Sequence, residues 1–342
     1  MSLNRNSICG EDFSELDFGN ISMNNIRWSI EGINPSSFKG CKFNEWNFYS
    51  GHSGPIMSVI WSKNGKYILT GSADQSAIIW SAQSGFMLKE LEGHSDYIMS
   101  VAFSQNSKYC LTGSCDSTAK IWSVRTGSCM KTLKGHSAAI LSVMISPDGK
   151  YCLTGSFDNT AKIWDFKTGK CLKTLHGHTD RIMSVAFSPD GAYCLTGSGD
   201  KTVKIWNVLT GECLKVLRGH DDGITSIAFS PSGEYYITGS LDKTAKIWRF
   251  ESENCLQTLK GHFSEVSAVD ISADGKYCLT GSWDETAMVW NFKDGTGSFD
   301  NTTKIWDAES GMCLKTIEPQ HLLSVESETE VGWLWKTVIF AV

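Results

Sequence analysis

The stretch Gly177–Trp206, GHTDRIMSVAFSPDGAYCLTGSGDKTVKIW, decides the fold. Ile182–Phe187 (IMSVAF) is a short apolar run. Ser188-Pro189-Asp190-Gly191 closes it, a tight turn with Pro fixing one backbone angle and Gly free to take the left-handed position. Tyr193–Ser198 (YCLTGS) predicts a second strand, and Gly199-Asp200-Lys201 turns the chain again. Thr202–Trp206 (TVKIW) alternates outward and inward residues as a third strand. Beyond it, Thr210-Gly211 marks another turn before a fourth strand, Cys213–Leu217 (CLKVL). Four short strands joined by hairpins make one small sheet with two apolar faces, which it cannot bury alone.

The rest of the chain repeats this unit. Gly-His recurs at Gly51-His52, Gly93-His94, Gly135-His136, Gly177-His178, Gly219-His220 and Gly261-His262, each step being 42 residues. A tryptophan follows 28 residues after each of those histidines: Trp80, Trp122, Trp164, Trp206, Trp248 and Trp290. Tandem sheets of this size bury their faces by stacking, and a closed ring protects the ends of the stack. The composition agrees, with 32 Gly for tight turns against only 6 Pro, and 13 Trp.

Gly-His, then Thr-Gly-Ser-x-Asp, then Trp at a fixed distance resembles the WD-repeat (WD40) family. The resemblance covers roughly residues 44–317 and implies an all-β propeller with six complete blades and a truncated seventh. It also implies that the repeated His, Thr, Asp and Trp form a hydrogen-bonded tetrad inside each blade. The matching residues are His94, Thr112, Asp116 and Trp122; His136, Thr154, Asp158 and Trp164; and His178, Thr196, Asp200 and Trp206. The chemistry suits burial, since an indole N–H needs an acceptor and a histidine can link a hydroxyl to a carboxylate.

That reading absorbs the residues an enzyme would need. A catalytic base belongs to one constellation in one place, whereas six of the eight His stand at the repeated position. His176 and His321 are the exceptions, and His176 reads as plain surface. No phosphate-binding G-x-x-x-x-G-K-[ST] loop and no H-E-x-x-H pair occurs. Nine of the 12 cysteines fall into register: Cys110, Cys152, Cys194 and Cys278 at one strand position, and Cys129, Cys171, Cys213 and Cys255 at another, with Cys313 in the last unit. Tyr236 and Met87 replace Cys in other copies, so both positions are expected to be buried apolar fillers. No C-x-x-C pair exists, so neither zinc, another metal nor disulfides are expected, and unpaired thiols place the chain inside the cell, in the cytoplasm. The sequence therefore predicts no catalytic residues and no cofactor. A formal net charge of −6 gives no support to nucleic-acid or membrane binding.

Differences between the units point to where a partner binds. The residue before the repeated Asp varies: Ala73, Cys115, Phe157, Gly199, Leu241 and Trp283. So do the positions after Gly-His-x, among them Asp96-Tyr97, Asp180-Arg181 and Ser264-Glu265. The family resemblance places both sets on the upper face around the central channel. Tyr97, Cys115, Phe157, Arg181, Leu241, Glu265 and Trp283 are the expected partner-binding residues, aromatic and Arg anchors being enriched at hot spots. The function expected is a non-catalytic scaffold for a protein or peptide. The alternative is the recognition part of a multidomain signalling protein whose nucleotide-binding effector region is not in this sequence.

The two ends differ. Over residues 1–48, Phe13, Phe18, Met23, Trp28, Ile33, Phe38, Phe43 and Phe48 recur every five residues, which resembles the pentapeptide-repeat family. An irregular cap is the other reading, and the last pentads overlap the strand expected before Gly51. The propeller is expected over 49–317. Near its end, GSFDNTTKIW (Gly297–Trp306) nearly copies GSFDNTAKIW (Gly155–Trp164), but Trp306 follows Trp290 by 16 residues instead of 42, so the seventh unit lacks 26. The tail, 318–342, repeats nothing, and its apolar end Trp333–Val342 is expected to cover part of the gap.

Overall fold

A computed structural model describes residues 51–252, 254–284 and 286–291, and the backbone of 297–298, 303–306 and 313–317. The 1–48 segment, with both readings of it, and the tail, 318–342, with the cover expected from it, lie outside the described residues.

Each unit is a four-stranded antiparallel sheet in simple up-and-down order. In blade four the strands are Ile182–Phe187, Tyr193–Ser198, Thr202–Asn207 and Cys213–Arg218, the last two each one residue longer than the sequence predicts. Blades one, two, three and five repeat the arrangement, with innermost strands Ile56–Trp61, Ile98–Phe103, Ile140–Ile145 and Ile224–Phe229. In blade six the innermost strand is Val266–Ile271. The fold is a six-bladed β-propeller, with part of a seventh strand set.

The core lies between blades rather than within them. Leu69, Ala77, Ile79 and Leu91 of blade one pack with Ile98, Val101, Phe103 and Cys110 of blade two, and the pattern recurs at the next boundaries. The repeated Thr-Gly-Ser has a steric reason at these boundaries. A Cβ added to Gly113 would stand 2.5 Å from Val143 Cγ1 of the next blade, so only glycine lets the blades approach this closely.

Two expectations need correction. Cys110, Cys152, Cys194 and Cys278 are buried, but Cys129, Cys171 and Cys213 are exposed and Cys255 is half-buried. These second-set cysteines lie on the outermost strand, which has a sheet neighbour on one side only. There the single deeply buried position is the leucine that ends the apolar pattern, such as Leu133 or Leu175. The second concerns Gly297–Ser298, which matches the second strand of a seventh unit. Its backbone instead pairs with Ala287–Asn291, Ser298 opposite Val289 and Gly297 opposite Trp290, as the outer strand of blade six. The missing 26 residues include that blade's own outer strand, and Gly297–Ser298 takes the edge left unpaired. Thr303–Trp306 and Cys313–Ile317 form a separate two-stranded sheet.

Candidate interaction surface

Beneath the upper loops the four repeated side chains of each unit meet. In blade four the Trp206 indole N–H donates to Thr196 Oγ1 at 2.9 Å. Thr196 Oγ1 lies 2.7 Å from His178 Nε2, and His178 Nδ1 lies 2.8 Å from Asp200 Oδ2. One proton assignment satisfies all of this: the threonine hydroxyl donates to Nε2, and a neutral histidine donates from Nδ1 to the carboxylate. His94, Thr112, Asp116 and Trp122 meet in the same way, as do His136, Thr154, Asp158 and Trp164.

The titration of these groups follows from their surroundings. Burial lowers the pKa of His94 and His136 below the ordinary 6.5, against the upward pull of Asp116 and Asp158. Burial pushes the Asp158 carboxyl up, but the Thr160 hydroxyl, the His136 ring and the Ser137 amide together hold it down at about 2. Each carboxylate also organises the turn above it. Asp200 Oδ2 accepts the Thr179 amide at 3.0 Å, and Oδ1 accepts the Thr202 amide at 3.0 Å and its hydroxyl at 2.6 Å. Sequence reasoning missed that threonine, although Thr118, Thr160, Thr202, Thr244 and Thr286 repeat two residues after the Asp.

The network fixes the loops that carry the variable residues. In every complete blade a backbone hydrogen bond ties one variable position to the other. Cys115 N–H donates to Tyr97 O at 2.8 Å, Phe157 to Ala139 at 2.8 Å, Gly199 to Arg181 at 3.0 Å, Leu241 to Gly223 at 2.9 Å and Trp283 to Glu265 at 3.0 Å. Two loops distant in sequence thus present adjacent side chains on a rigid frame.

Tyr97 is 50% exposed, Phe157 48% and Trp283 39%, while Cys115, Arg181, Leu241 and Glu265 are half-buried. One contact crosses a blade boundary: the Arg181 guanidinium of blade four stacks over the Phe157 ring of blade three, 5.1 Å from its centroid. Burial, with Asp96 and Asp116 nearby, pushes the Cys115 thiol up to about 11, so it is no reactive thiolate. Phe263, which the sequence reading passed over, is exposed beside these loops on the residue after Gly261-His262. Its signal was plain enough, an aromatic where the other units have Ser, Thr or Asp.

Among the described residues no group of three or more His, Cys, Asp or Glu could hold a metal ion. The nine described cysteines are unpaired. No helix among them is long and apolar enough to cross a membrane. The family model for the WD domain, G-beta repeat, matches residues 44–81, 85–123, 127–165, 169–207, 211–249 and 253–291. No characterised protein matches this sequence.

Proposed function

The chain belongs to the WD40 family, and from that membership we propose that it is a non-catalytic scaffold binding a protein or peptide on its upper face. WD40 propellers are in general protein-interaction scaffolds. The observation that carries the choice of face is the pairing of variable positions by backbone hydrogen bonds, with exposed Tyr97, Phe157 and Trp283 on them. An anchor on a rigid loop loses little entropy on binding, which is what a hot spot requires. The binding domain is 49–317, between an N-terminal segment at 1–48 and a tail at 318–342, and its free thiols suit an intracellular setting. The competing surface is the outer edge, where Met87, Leu88, Met130, Leu172, Leu214 and Leu256 are exposed.

The test is affinity capture with the double variant Phe157→Ala/Trp283→Ala. A bound protein should be lost or weakened by about 2 kcal/mol or more, with circular dichroism unchanged. Unchanged capture, together with loss of capture in Leu172→Asp/Leu214→Asp, would move the site to the outer edge.

A further inference from the structure

The flank of blade five carries a charge pattern that the other blades carry only in part. On its third and outer strands, Thr244–Arg249 and Cys255–Lys260, Thr244 lies opposite Lys260 and Lys246 opposite Thr258. Alternation puts these four side chains on one face, while Ala245, Ile247 and Leu259 of the other face join the core shared with blade six. Trp248, two residues beyond Lys246, packs with Leu195, Val203 and Ile205 of blade four, so this face is turned toward that blade. Lys243 stands in the tight turn just before, at a φ of 70°. The three lysines and two threonines line a cleft of about 430 Å³, together with Asp221, Asp242, Gly261 and His262.

The donors in this cleft are available to an anion. Lys246 Nζ donates to Thr258 Oγ1 at 2.9 Å, which uses one of its three N–H groups and leaves the threonine its own proton to give. Cys255 Sγ, 3.8 Å from that oxygen, is a weak acceptor. Among the described residues the lysines at salt-bridge distance from a carboxylate are Lys150 and Lys276, not the three in the cleft. Lys243 is partly shared: the Glu265 carboxyl is lowered first by the Ser264 hydroxyl, with the Lys243 ammonium among the lesser causes. The weight therefore falls on Lys246 and Lys260.

Two carboxylates oppose them. Asp242 is spent, since Oδ2 accepts from His220 Nδ1 at 2.7 Å and the Asp221 amide at 3.0 Å, and Oδ1 from the Thr244 amide at 2.9 Å and hydroxyl at 2.6 Å. The Asp221 carbonyl accepts from Lys201 Nζ of blade four at 2.7 Å, which brings a fourth ammonium to the cleft. Four ammonium groups against two carboxylates leave a charge of 4 − 2 = +2. A phosphate ester carries about −1.5 to −2 at pH 7.

No other blade described to its outer strand assembles the same set. Blade two repeats the pairs Lys120–Thr132 and Thr118–Lys134 but has Ser117 in place of Lys243. Blade three has Asn159 and His176 in place of Lys243 and Lys260. In blade four Val216 replaces the hydroxyl of Thr258. Blade one reverses the sign, with Ile78, Glu90 and Glu92 at the positions of Lys246, Thr258 and Lys260.

We propose that this cleft on blade five binds a phosphate group, held by Lys246, Lys260 and the Thr258 hydroxyl. A dianion with at least three acceptor oxygens can use donors converging from two strands, whereas a carboxylate offers two oxygens and one charge. Free orthophosphate and a phosphorylated side chain share this chemistry. The site is independent of what binds the upper face.

Isothermal titration calorimetry on the full chain, at pH 8 and constant ionic strength, tests it with inorganic phosphate, a short phosphoserine peptide and acetate. Phosphate should bind at millimolar concentration, and acetate about tenfold more weakly or worse. Lys246→Met/Lys260→Met should weaken phosphate about tenfold or more. Methionine suits that strand position, since Met288 fills it in blade six. The equivalent pair in blade two, Lys120→Met/Lys134→Met, should leave the affinity almost unchanged, and Asp221→Asn should tighten phosphate by removing a like charge. A peptide that binds about tenfold more tightly than phosphate identifies the group as part of a phosphorylated partner, and equal affinities identify free phosphate. Binding of neither phosphate probe would overturn the proposal, as would acetate binding as tightly as phosphate. So would an unchanged affinity in the folded blade-five variant, an equal loss in the blade-two variant, or weaker binding in Asp221→Asn, which would mark a cation site. If the blade-five pair fails to fold, Lys260→Met alone, at an exposed position, carries the same test.

Discussion

Blade three and blade one contain the same four-residue network but stand in different surroundings. In blade three His136 Nδ1 is 2.8 Å from Asp158 Oδ2; in blade one the equivalent His52–Asp74 distance is 2.9 Å. The indole bonds match too, Trp164 to Thr154 at 2.9 Å and Trp80 to Thr70 at 2.8 Å. Burial does not match, since blade one presents a half-exposed Ile56 where blade three keeps Ile140 wholly covered. The network is thus a property of one folded unit, while the apolar core belongs to pairs of units. A repeat protein of this kind can keep its hydrogen bonds everywhere and still be weak at one boundary.

The largest expected contrast is between equivalent positions on the innermost strands. Ile182→Ala should cost about 2–5 kcal/mol by leaving a cavity between two blades, whereas Ile56→Ala should cost well under half of that. Urea denaturation measures both. Equal losses would mean that blade one is covered as completely as the interior blades.

A smaller contrast separates the two cysteine positions. Cys152→Ser places a hydroxyl among the apolar residues between blades two and three, at a cost of about 1–3 kcal/mol. Cys171→Ser, on the exposed outer strand, should change stability by no more than about 0.5 kcal/mol. Comparable losses at the two sites would contradict the assignment of the outer strand to solvent.

The pH dependence should be the smallest effect, and it tests whether the network is held in one protonation state. His94 and His136 resist protonation when folded but accept protons near pH 6.5 when unfolded, so the unfolded chain takes up more protons and stability falls as the pH drops below about 6.5. Asp74 and Asp158, held at about 2 against an ordinary 3.8, contribute stability above pH 3.8 that is lost as the pH falls toward 2. A urea midpoint that stays flat from pH 7 to 5 would mean that these histidines take up protons as readily in the folded state as in the unfolded chain, against the burial that lowers them.

Most of the fold was legible because the period is fixed and each strand is bounded by its own turn. The four strands of the fourth unit were readable to within one residue from the turns at Ser188–Gly191, Gly199–Lys201 and Thr210-Gly211. Burial of the outer strand was not legible. Cys171 and Leu172 look like core residues in sequence, and only the absence of a further sheet neighbour exposes them. Gly297–Ser298 was misplaced for a related reason. Its sequence is that of a second strand, but pairing is decided by which edge is free, and the free edge was in blade six. For the upper face, variability named Phe157 and Arg181 separately. Their stacking across two blades needed the distance between those blades, which no single unit encodes.

The central claim is that residues in register carry the fold and that the variable residues beside them carry recognition. Phe157 and Asp158 are consecutive in the chain and should behave oppositely, so thermal denaturation of Phe157→Ala and Asp158→Ala side by side is the most direct measurement. Asp158→Ala leaves buried donors without their acceptor and should cost about 1–3 kcal/mol, a drop of several degrees in Tm at about 2–4 °C for each kcal/mol. Phe157→Ala loses its stacking with Arg181, about 0.5–1 kcal/mol, and the contacts of a half-exposed ring, and should melt within a few degrees of the parent. The account is contradicted if Asp158→Ala melts with the parent, or if Phe157→Ala is the more destabilised of the two.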